Sequence, residues 1–397
     1  MSRLRFGIFL PPYHNPEHSH ALSIERDLQL AEHLDRLGYD EIWFGEHHSG
    51  GYETIPCPEL MIAAAAQRTD RIQLCTGVIS LPYHHPLMVA DRIAFLDHLT
   101  RGRVTAGFGP GALPSDSYMM GMDYTTLRPR MEEALEAVLA LFDSSQPVDM
   151  VTSWFTLREA RLQVKSYVQP RTPMALAAAV SPSGPRLAGK HGLGLISFGG
   201  TSAQGVEGLR HTWGIVEEQA ALHGQRVDRT NWSVVGMMHI ADTEQQAIED
   251  VRYGFDDFFR YHHVAVPAGL WTDDEGLTLA AKVARLNDAG VGVIGTPAMA
   301  VRHIRRLLDL SGGIGAFLFF CNDWGSRESM LRSYELFARE VMPHFDGSME
   351  SRLASFEWMG SRREASMQSL STGWEQATAR YVTEIAGSGV PATDGSS

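Results

Sequence analysis

The chain has 397 residues, of which 44% are hydrophobic and 20% are charged, a balance that excludes a mainly disordered protein and provides for a large core. Its net charge of −13 argues against nucleic acid or an anionic membrane surface as a partner. We expect no membrane span and no secretion signal. The three widely spaced cysteines fit neither a disulfide framework nor a zinc motif, so the sequence favours a location in the reducing cytoplasm.

Short β-branched or aromatic runs alternate with amphipathic segments along the chain. The runs predict eight strands, at residues 4–10, 41–45, 72–79, 104–108, 174–179, 193–197, 232–240 and 316–321. Helical spacing of apolar residues predicts helices at residues 24–37, 59–68, 87–99, 130–142, 184–191, 203–223, 244–262, 297–310 and 328–342.

Eight strands, each followed by a helix in one series, favour an α/β fold of the (β/α)8 TIM barrel type over an open doubly wound sheet. We expect this barrel over residues 1–345, with insertions near 143–172, where a hairpin fits, and near 264–293. Residues 346–397 then form a C-terminal helical extension, which ends in a disordered tail containing Gly, Ser and Pro.

Active-site residues of such a barrel follow the carboxyl ends of its strands. This rule selects loops that are rich in histidine, glycine and aromatic residues, namely those that carry Tyr13, His47, Tyr83, Gly109, Ser181 and Phe198. A histidine at a strand end is either an acid/base or a structural loop residue. Ser181 and Gly184, at a helix start, form either an anion site or an ordinary N-cap. Arg128 is either a further charge for a phosphate or a surface arginine.

Two other readings of these loops are disfavoured by their context. Residues 107–112 fit the pattern G-x-G-x-x-A, but Pro114 interrupts the helix that a dinucleotide fingerprint requires, so we interpret them as a glycine turn. The histidine pairs 47–48, 84–85 and 262–263 are adjacent in sequence, and neighbours rarely ligate one ion together. We therefore expect no metal site.

Several motifs, taken together and in order, resemble the bacterial luciferase-like, flavin-dependent monooxygenase family. They are Glu46-His47-His48, the stretch TGVISLPYHHP at residues 76–86, Gly107-x-Gly109-x-Gly111, Gly121-x-Asp123 with Arg128, and Gly295-Thr296-Pro297. Within the family, the sequences around His47 and at residues 81–92 are most similar to the limonene monooxygenase-like and diketocamphane monooxygenase-like branch.

The resemblance implies a (β/α)8 barrel that is a two-component monooxygenase. It would use reduced FMN and O2, through a flavin C4a-(hydro)peroxide, to oxygenate a small apolar substrate such as a terpene-like alkene, a ketone or a polycyclic natural-product intermediate. A separate NAD(P)H:flavin reductase and a homodimer are implied as well. The alternatives are an F420-dependent oxidoreductase on the same fold and a non-catalytic flavin-binding protein.

The resemblance also assigns roles by position. His47 matches the catalytic histidine, Gly77 and Val78 match a cis peptide beside the flavin ring, and Gly109 and Gly111 lie where backbone passes the ring. The phosphate-binding positions are Arg128, Val180 (through its backbone), Ser181 and Gly184. Tyr13, Tyr83 and Phe198 are the candidates for the apolar substrate pocket. Luciferases have a cysteine at the position of Gly109, and its replacement by glycine argues against light emission. They have an arginine that contacts the phosphate at the position of Pro110, so in this chain Arg128 would supply more of the positive charge for the phosphate.

Overall fold

The computed structural model describes residues 3–179, 181–265 and 276–388. Its strands are β1 (Arg5–Leu10), β2 (Glu41–Phe44), β3 (Gln73–Thr76), β4 (Ile79–Ser80), β5 (Val104–Gly109), β6 (Val148–Val151), β7 (Thr156–Ala160), β8 (Met174–Ala178), β9 (Gly194–Gly200), β10 (Trp232–Ile240), β11 (Gly292–Gly295) and β12 (Ala316–Phe320).

The helices alternate with these strands. They are α1 (His20–Leu37), α2 (Pro58–Ala66), α3 (Pro86–Leu99), α4 (Pro114–Met119), α5 (Leu127–Asp143), α6 (Ser183–His191), α7 (Ala203–Leu222), α8 (Glu244–Val251), α9 (Phe255–Ala265), α10 (Leu279–Ala289), α11 (Pro297–Ser311), α12 (Arg327–Glu340), α13 (Glu350–Ser361) and α14 (Arg363–Ser388). Among the described residues, no helix combines the length and the apolar character needed to cross a membrane.

Eight parallel strands close into a barrel. Their order is β1-β2-β3-β5-β8-β9-β10-β12, and β12 pairs with β1 to complete the ring. The eight strands are those predicted from the apolar runs, so the expected (β/α)8 barrel is confirmed. The segment expected as an insertion after α5 contains β6 and β7, which form an antiparallel hairpin.

Side chains on the barrel strands divide into two buried clusters, as the two-residue period of a strand requires. Ile8, Ile42 and Leu176 belong to the larger cluster, which includes the buried faces of the surrounding helices. Phe9 and Trp43, one residue further along their strands, belong to a second cluster inside the ring. The active end of the barrel is therefore built on strands that are packed on both faces.

Three local predictions differ from the structure. The predicted strand at residues 72–79 is divided into β3 and β4 by Gly77 and Val78. The predicted helix at 244–262 is divided into α8 and α9, and Gly254, between them, passes so close to Asp323 that a Cβ would lie 2.0 Å from its carbonyl oxygen. The segment assigned to the second insertion contains α10 and β11, and β11 pairs with the carboxyl half of β10.

The chain divides into two compact units, Met1–Phe345 and Asp346–Ser397. The first contains the barrel. The second contains α13 and α14, so the extension is helical as expected, and α14 continues to Ser388. The predicted disordered tail begins within this unit, and its residues 389–397 lie outside the described part of the chain.

Candidate active site

His47 lies directly after β2, between two carboxylates. Its Nδ1 is 3.0 Å from Oδ2 of Asp116, and its Nε2 is 3.5 Å from Oε2 of Glu53. The imidazole side chain is only 16% exposed, so both interactions are shielded from water. Burial lowers the pKa of His47, but the charges of Glu53 and Asp116 outweigh it, and the pKa is raised above its ordinary value.

Asp116 is held in position by donors from the loop after β2. Besides His47, it accepts hydrogen bonds from the His48 backbone N–H at 3.1 Å and from the Ser49 hydroxyl at 2.5 Å. Burial raises the pKa of Asp116, whereas the bonds from His47 and Ser49 lower it, and the net pKa is below the ordinary value. The carboxylate therefore stays charged and holds a proton on Nδ1 of His47.

Glu53 joins His47 to helix α9. Oε2 of Glu53 accepts a hydrogen bond of 2.7 Å from the hydroxyl of Tyr261, whose pKa is raised by burial and then by the charge of Glu53. The same carboxylate oxygen is the one near Nε2 of His47. The second ring nitrogen of His47 therefore faces a carboxylate that α9 holds in place.

Tyr13 follows β1 and lies in an aromatic cluster next to His47's loop. Its ring stacks on Tyr52 with centroids 5.2 Å apart, and its hydroxyl donates to Asp257 on α9 at 3.1 Å. Burial, followed by the charge of Asp257, raises the pKa of Tyr13, which keeps the hydroxyl protonated. The residue predicted for the substrate pocket is thus buried within this cluster, with only 6% of it exposed and its hydroxyl already engaged.

Gly77, Val78, Gly109 and Gly111 lie within or directly beside β3, β4 and β5. We call these four residues the glycine wall, because close packing requires glycine at three of them. The Gly77–Val78 peptide bond is cis, as the resemblance implied. A Cβ on Gly109 would lie 2.6 Å from a methyl group of Val78, and one on Gly111 would lie 2.2 Å from the hydroxyl of Tyr83. Gly111 also has φ +92°, a conformation that favours glycine.

Of the other two predicted pocket residues, Tyr83 lies against Gly111, and Phe198 lies in β9. The hydroxyl oxygen of Tyr83 is buried and has no hydrogen-bond partner among the described residues. Phe198, in β9, packs edge-on against Phe9 with ring centroids 4.8 Å apart. An unsatisfied buried hydroxyl beside glycine backbone is a donor available to a bound group.

The predicted phosphate positions lie at two helix starts. Ser181 precedes α6, and its hydroxyl accepts a hydrogen bond of 3.2 Å from the Ser183 backbone N–H. Gly184, in the first turn, has no space for a side chain, since a Cβ would lie 2.1 Å from the carbonyl oxygen of Ala177. Arg128 is exposed in the first turn of α5, with its guanidinium 6.0 Å from the ring centre of Tyr124. Val180 lies outside the described residues.

These features fit a flavin mononucleotide. Gly109 and Gly111 place backbone without side chains next to Val78 and Tyr83, and the buried Tyr83 hydroxyl is a polar atom that a planar ring bound there could engage. The N-terminus of α6, with a serine hydroxyl before it, offers N–H donors to an anion.

Glu46, His48 and His84 form a cluster whose side chains could hold a metal ion. The adjacent histidine pairs in the sequence did not predict this cluster. Oε1 of Glu46 is 3.1 Å from Nε2 of His48 and 3.0 Å from Nε2 of His84, and the three ligand atoms lie within 4.8 Å of one another. The backbone N–H of Ser80 donates to the other oxygen of Glu46 at 3.2 Å. Spacing in the sequence did not show this arrangement, because His84 comes from the loop of the next strand.

The sequence also did not single out Asp116, Glu53 or Tyr261. Pro114 was read as an interruption of a helix, whereas it occupies the first turn of α4 and so starts the helix that carries Asp116. Glu53 and Tyr261 are 208 residues apart in the chain, and no local pattern connects them.

Comparison with known proteins gives one family. The model described as "Luciferase-like monooxygenase" matches residues 4–311. The limonene 1,2-monooxygenase of Rhodococcus erythropolis is 45% identical over 97% of both chains. The 4-hydroxyprotoasukamycin monooxygenase of Streptomyces nodosus subsp. asukaensis is 43% identical over 92% of this chain and 98% of its own.

A solved structure matches the barrel closely. It is the oxygenating constituent of the 3,6-diketocamphane monooxygenase of Pseudomonas putida, a type II Baeyer–Villiger monooxygenase in complex with FMN. The TM-score is 0.73 and the identity 25%, over 86% of this chain and 98% of that one.

Proposed function

The chain belongs to the luciferase-like monooxygenase family and is a monooxygenase, and from this premise we propose that it uses reduced FMN and O2 to oxygenate a small apolar organic substrate. The observation that carries the proposal is His47, clamped between Asp116 and Glu53 at the carboxyl end of the barrel strands. A buried imidazole with a raised pKa can keep or release a proton near neutral pH, which is what control of an oxygen-transfer step requires.

The cofactor would be held at both ends. Arg128, the Ser181 hydroxyl and the backbone around Val180 and Gly184 bind the phosphate, and Gly77, Val78, Gly109 and Gly111 flank the ring. The four glycines among these positions, Gly77, Gly109, Gly111 and Gly184, have no room for a side chain, since a Cβ on each would clash with a neighbouring atom. Reduced FMN supplies the electrons with which O2 becomes reactive.

His47 holds the proton that decides the outcome. Asp116 fixes a proton on Nδ1, so Nε2, which lies beside Glu53, is the nitrogen left to take up or release a proton, and Glu53 favours its protonated form. General acid or base action of this kind contributes typically ~10²–10⁴-fold to the rate. Tyr13, Tyr83 and Phe198 line the space for the substrate and exclude water from it.

The substrate class follows from the relatives and from this lining. One relative is named for limonene, another for 4-hydroxyprotoasukamycin, and the matching structure for a diketocamphane. We infer a terpene-like alkene, a ketone or a polycyclic natural-product intermediate, held mainly by aromatic side chains.

The chain would work with a separate NAD(P)H:flavin reductase, since the diketocamphane protein is itself described as an oxygenating constituent. A homodimer is part of the proposal. The three unpaired thiols, Cys57, Cys75 and Cys321, support a reducing, cytoplasmic location.

The test is an anaerobic titration with FMNH2 and, in parallel, with reduced F420, followed by rapid mixing with oxygenated buffer and a terpene or cyclic ketone. We expect binding of FMNH2, reoxidation kinetics that differ from those of free FMNH2, and a product that contains one atom of ¹⁸O2. Binding of reduced F420 alone, or binding of oxidised FMN without any turnover, would overturn the proposal in favour of the two alternatives.

A further inference from the structure

The C-terminal unit presents many large apolar side chains to solvent. Nine side chains in α13 and α14 are each at least 46% exposed: Leu353, Phe356, Trp358, Met359, Met367, Leu370, Trp374, Tyr381 and Val382. No residue of either helix is buried. Apolar groups in this density mark a surface that another surface covers.

The spacing of six of these residues indicates what kind of surface covers them, whereas Trp358, Met359 and Val382 lie at other positions around the helices. In α14, Met367, Leu370, Trp374, Ala377 and Tyr381 follow one another at intervals of three and four residues, the a and d positions of a heptad. This repeat of 3.5 residues forms one stripe along the helix, which we call the seam. A heptad seam packs against another helix with the same repeat.

The seam extends back into α13 in the same register. Leu353 and Phe356 lie 14 residues, or two heptads, before Met367 and Leu370. Gly360 and Arg363 occupy the seam positions of the intervening heptad, where α13 ends and α14 begins. The register is therefore shared by both helices.

The extension is separable from the barrel in the comparisons. The limonene 1,2-monooxygenase matches 97% of this chain, so it shares most of residues 346–397. In contrast, the match to the diketocamphane protein covers 98% of that protein but only 86% of this chain. The first unit, 345 of 397 residues, makes up a similar share of this chain. The diketocamphane protein therefore lacks a counterpart to a share of this chain as large as the extension, which fits a task for the extension other than forming the barrel.

We propose that the seam is an interface between two copies of this chain, in which α13 and α14 of one copy pair in parallel with the same helices of the other across a two-fold axis. Two-fold interfaces are self-complementary, and a seam of identical a and d residues meets that condition. Covering Phe356, Trp374 and Tyr381 removes roughly several hundred Å² per copy from water. This is a large part of the roughly 800 Å² per partner of a standard interface.

The charges along the seam support this occupant over an unrelated partner. Residues 350–388 carry four arginines and five glutamates, so this part of a chain with a net charge of −13 is close to neutral, and its one charge in the seam up to Tyr381, Arg363, is the only like pair that the two copies bring together there. Arg352 and Glu357 occupy the g position and the following e position, five residues apart. In a parallel pair, each Arg352 faces Glu357 of the other copy, which gives two complementary pairs.

The first experiment measures the mass of the full-length protein by light scattering during gel filtration. The variant is Leu370→Glu with Trp374→Glu, and the control is Thr372→Glu, which places one charge on the opposite face of α14. We expect a twofold lower mass for the seam variant and the wild-type mass for the control, with FMN binding intact in both. A seam variant that keeps the wild-type mass overturns the proposal. This holds even if the variant is less stable to heat, or binds a reductase or lipid vesicles less well, since those losses would indicate a different partner for the seam.

The second experiment tests the orientation by oxidative cross-linking. In a parallel pair, position 377 of one copy lies beside position 377 of the other, since d positions face each other. We expect Ala377→Cys to form a disulfide-linked dimer well above the background of the wild-type chain, and Thr372→Cys to remain at that background. Equal cross-linking of the two variants, or none at position 377, contradicts the parallel seam.

Discussion

Replacement of Asp116 by asparagine tests the electrostatic control of His47. The substitution keeps the shape of the side chain but removes the charge 3.0 Å from Nδ1 of His47. A hydrogen bond to a charged group contributes about 1.5–3 kcal/mol, and about 1.4 kcal/mol corresponds to one pKa unit. We therefore expect the pKa of His47 to fall by about 1–2 units, because Glu53 remains while the burial that opposes protonation is unchanged.

The assay is an NMR titration of ¹⁵N-histidine-labelled protein. The chain has 17 histidines, so the signals of His47 are assigned as those that disappear in His47→Gln. The matched control is Asp257→Asn, which removes a partly exposed carboxylate that binds Tyr13, Tyr52 and Arg260 but not His47. We expect the control to leave the pKa of His47 at the wild-type value. An unchanged or higher pKa in Asp116→Asn would refute the reasoning.

The same variant has a stability signature with a fixed sign. Since the pKa of His47 is raised in the folded protein, its protonation stabilises the fold fully below about pH 6.5, the value of the unfolded chain, and this contribution is lost as the pH rises through the folded pKa. We expect the difference in free energy of unfolding between wild type and Asp116→Asn to be larger at pH 6 than at pH 9. A constant difference across that range would contradict the linkage.

The remaining predictions concern His47 itself, the glycine wall and the phosphate position. His47→Ala should bind FMN about as well as the wild type, while product formation falls by about 10²–10⁴-fold and electrons from the reductase appear as H2O2; coupling that is unchanged would show that His47 has another role. Gly109→Ala places a methyl group 2.6 Å from a methyl group of Val78, and we expect urea titration to show a free energy of unfolding that is lower by about 1–3 kcal/mol. The control, Gly208→Ala, lies in an open part of α7 and should raise the free energy of unfolding slightly. Arg128→Ala should weaken binding of FMN but not of riboflavin, and Arg130→Ala, whose guanidinium lies over Trp154, should affect neither; a loss of riboflavin binding would place Arg128 elsewhere than at the phosphate.

The sequence predicted the barrel well because its strands are continuous apolar runs. β1, β10 and β12 are buried along almost their whole length, and burial on both faces gives a signal that does not depend on neighbours in space. β11 was not predicted, since its four residues, GVIG, carry too little pattern to distinguish a strand from a loop. The division between α8 and α9 was not predicted either, because it depends on the close approach of Asp323 to Gly254.

For the candidate site, the sequence identified the loops but not the partners. The rule that function follows the strand ends selected His47, and the family resemblance selected the glycine wall. The carboxylates that set the pKa of His47 come from α4 and from the loop after β2, and Asp116 is 69 residues away in the chain. Such pairs are fixed by the closed barrel, so they become visible only when the strands are in place.

The pairing of β1 with β12 has a consequence for synthesis of the chain. Arg5 pairs with Ala316, so the two strands that close the ring are separated by 311 residues. At the usual ~5–20 residues per second of translation, β1 leaves the ribosome roughly 15–60 s before its partner exists. During that time one edge of the growing sheet is open to strands of other nascent chains. Emergence of β12 from the ribosome, rather than collapse of the first half of the chain, is then the event that allows the ring to close.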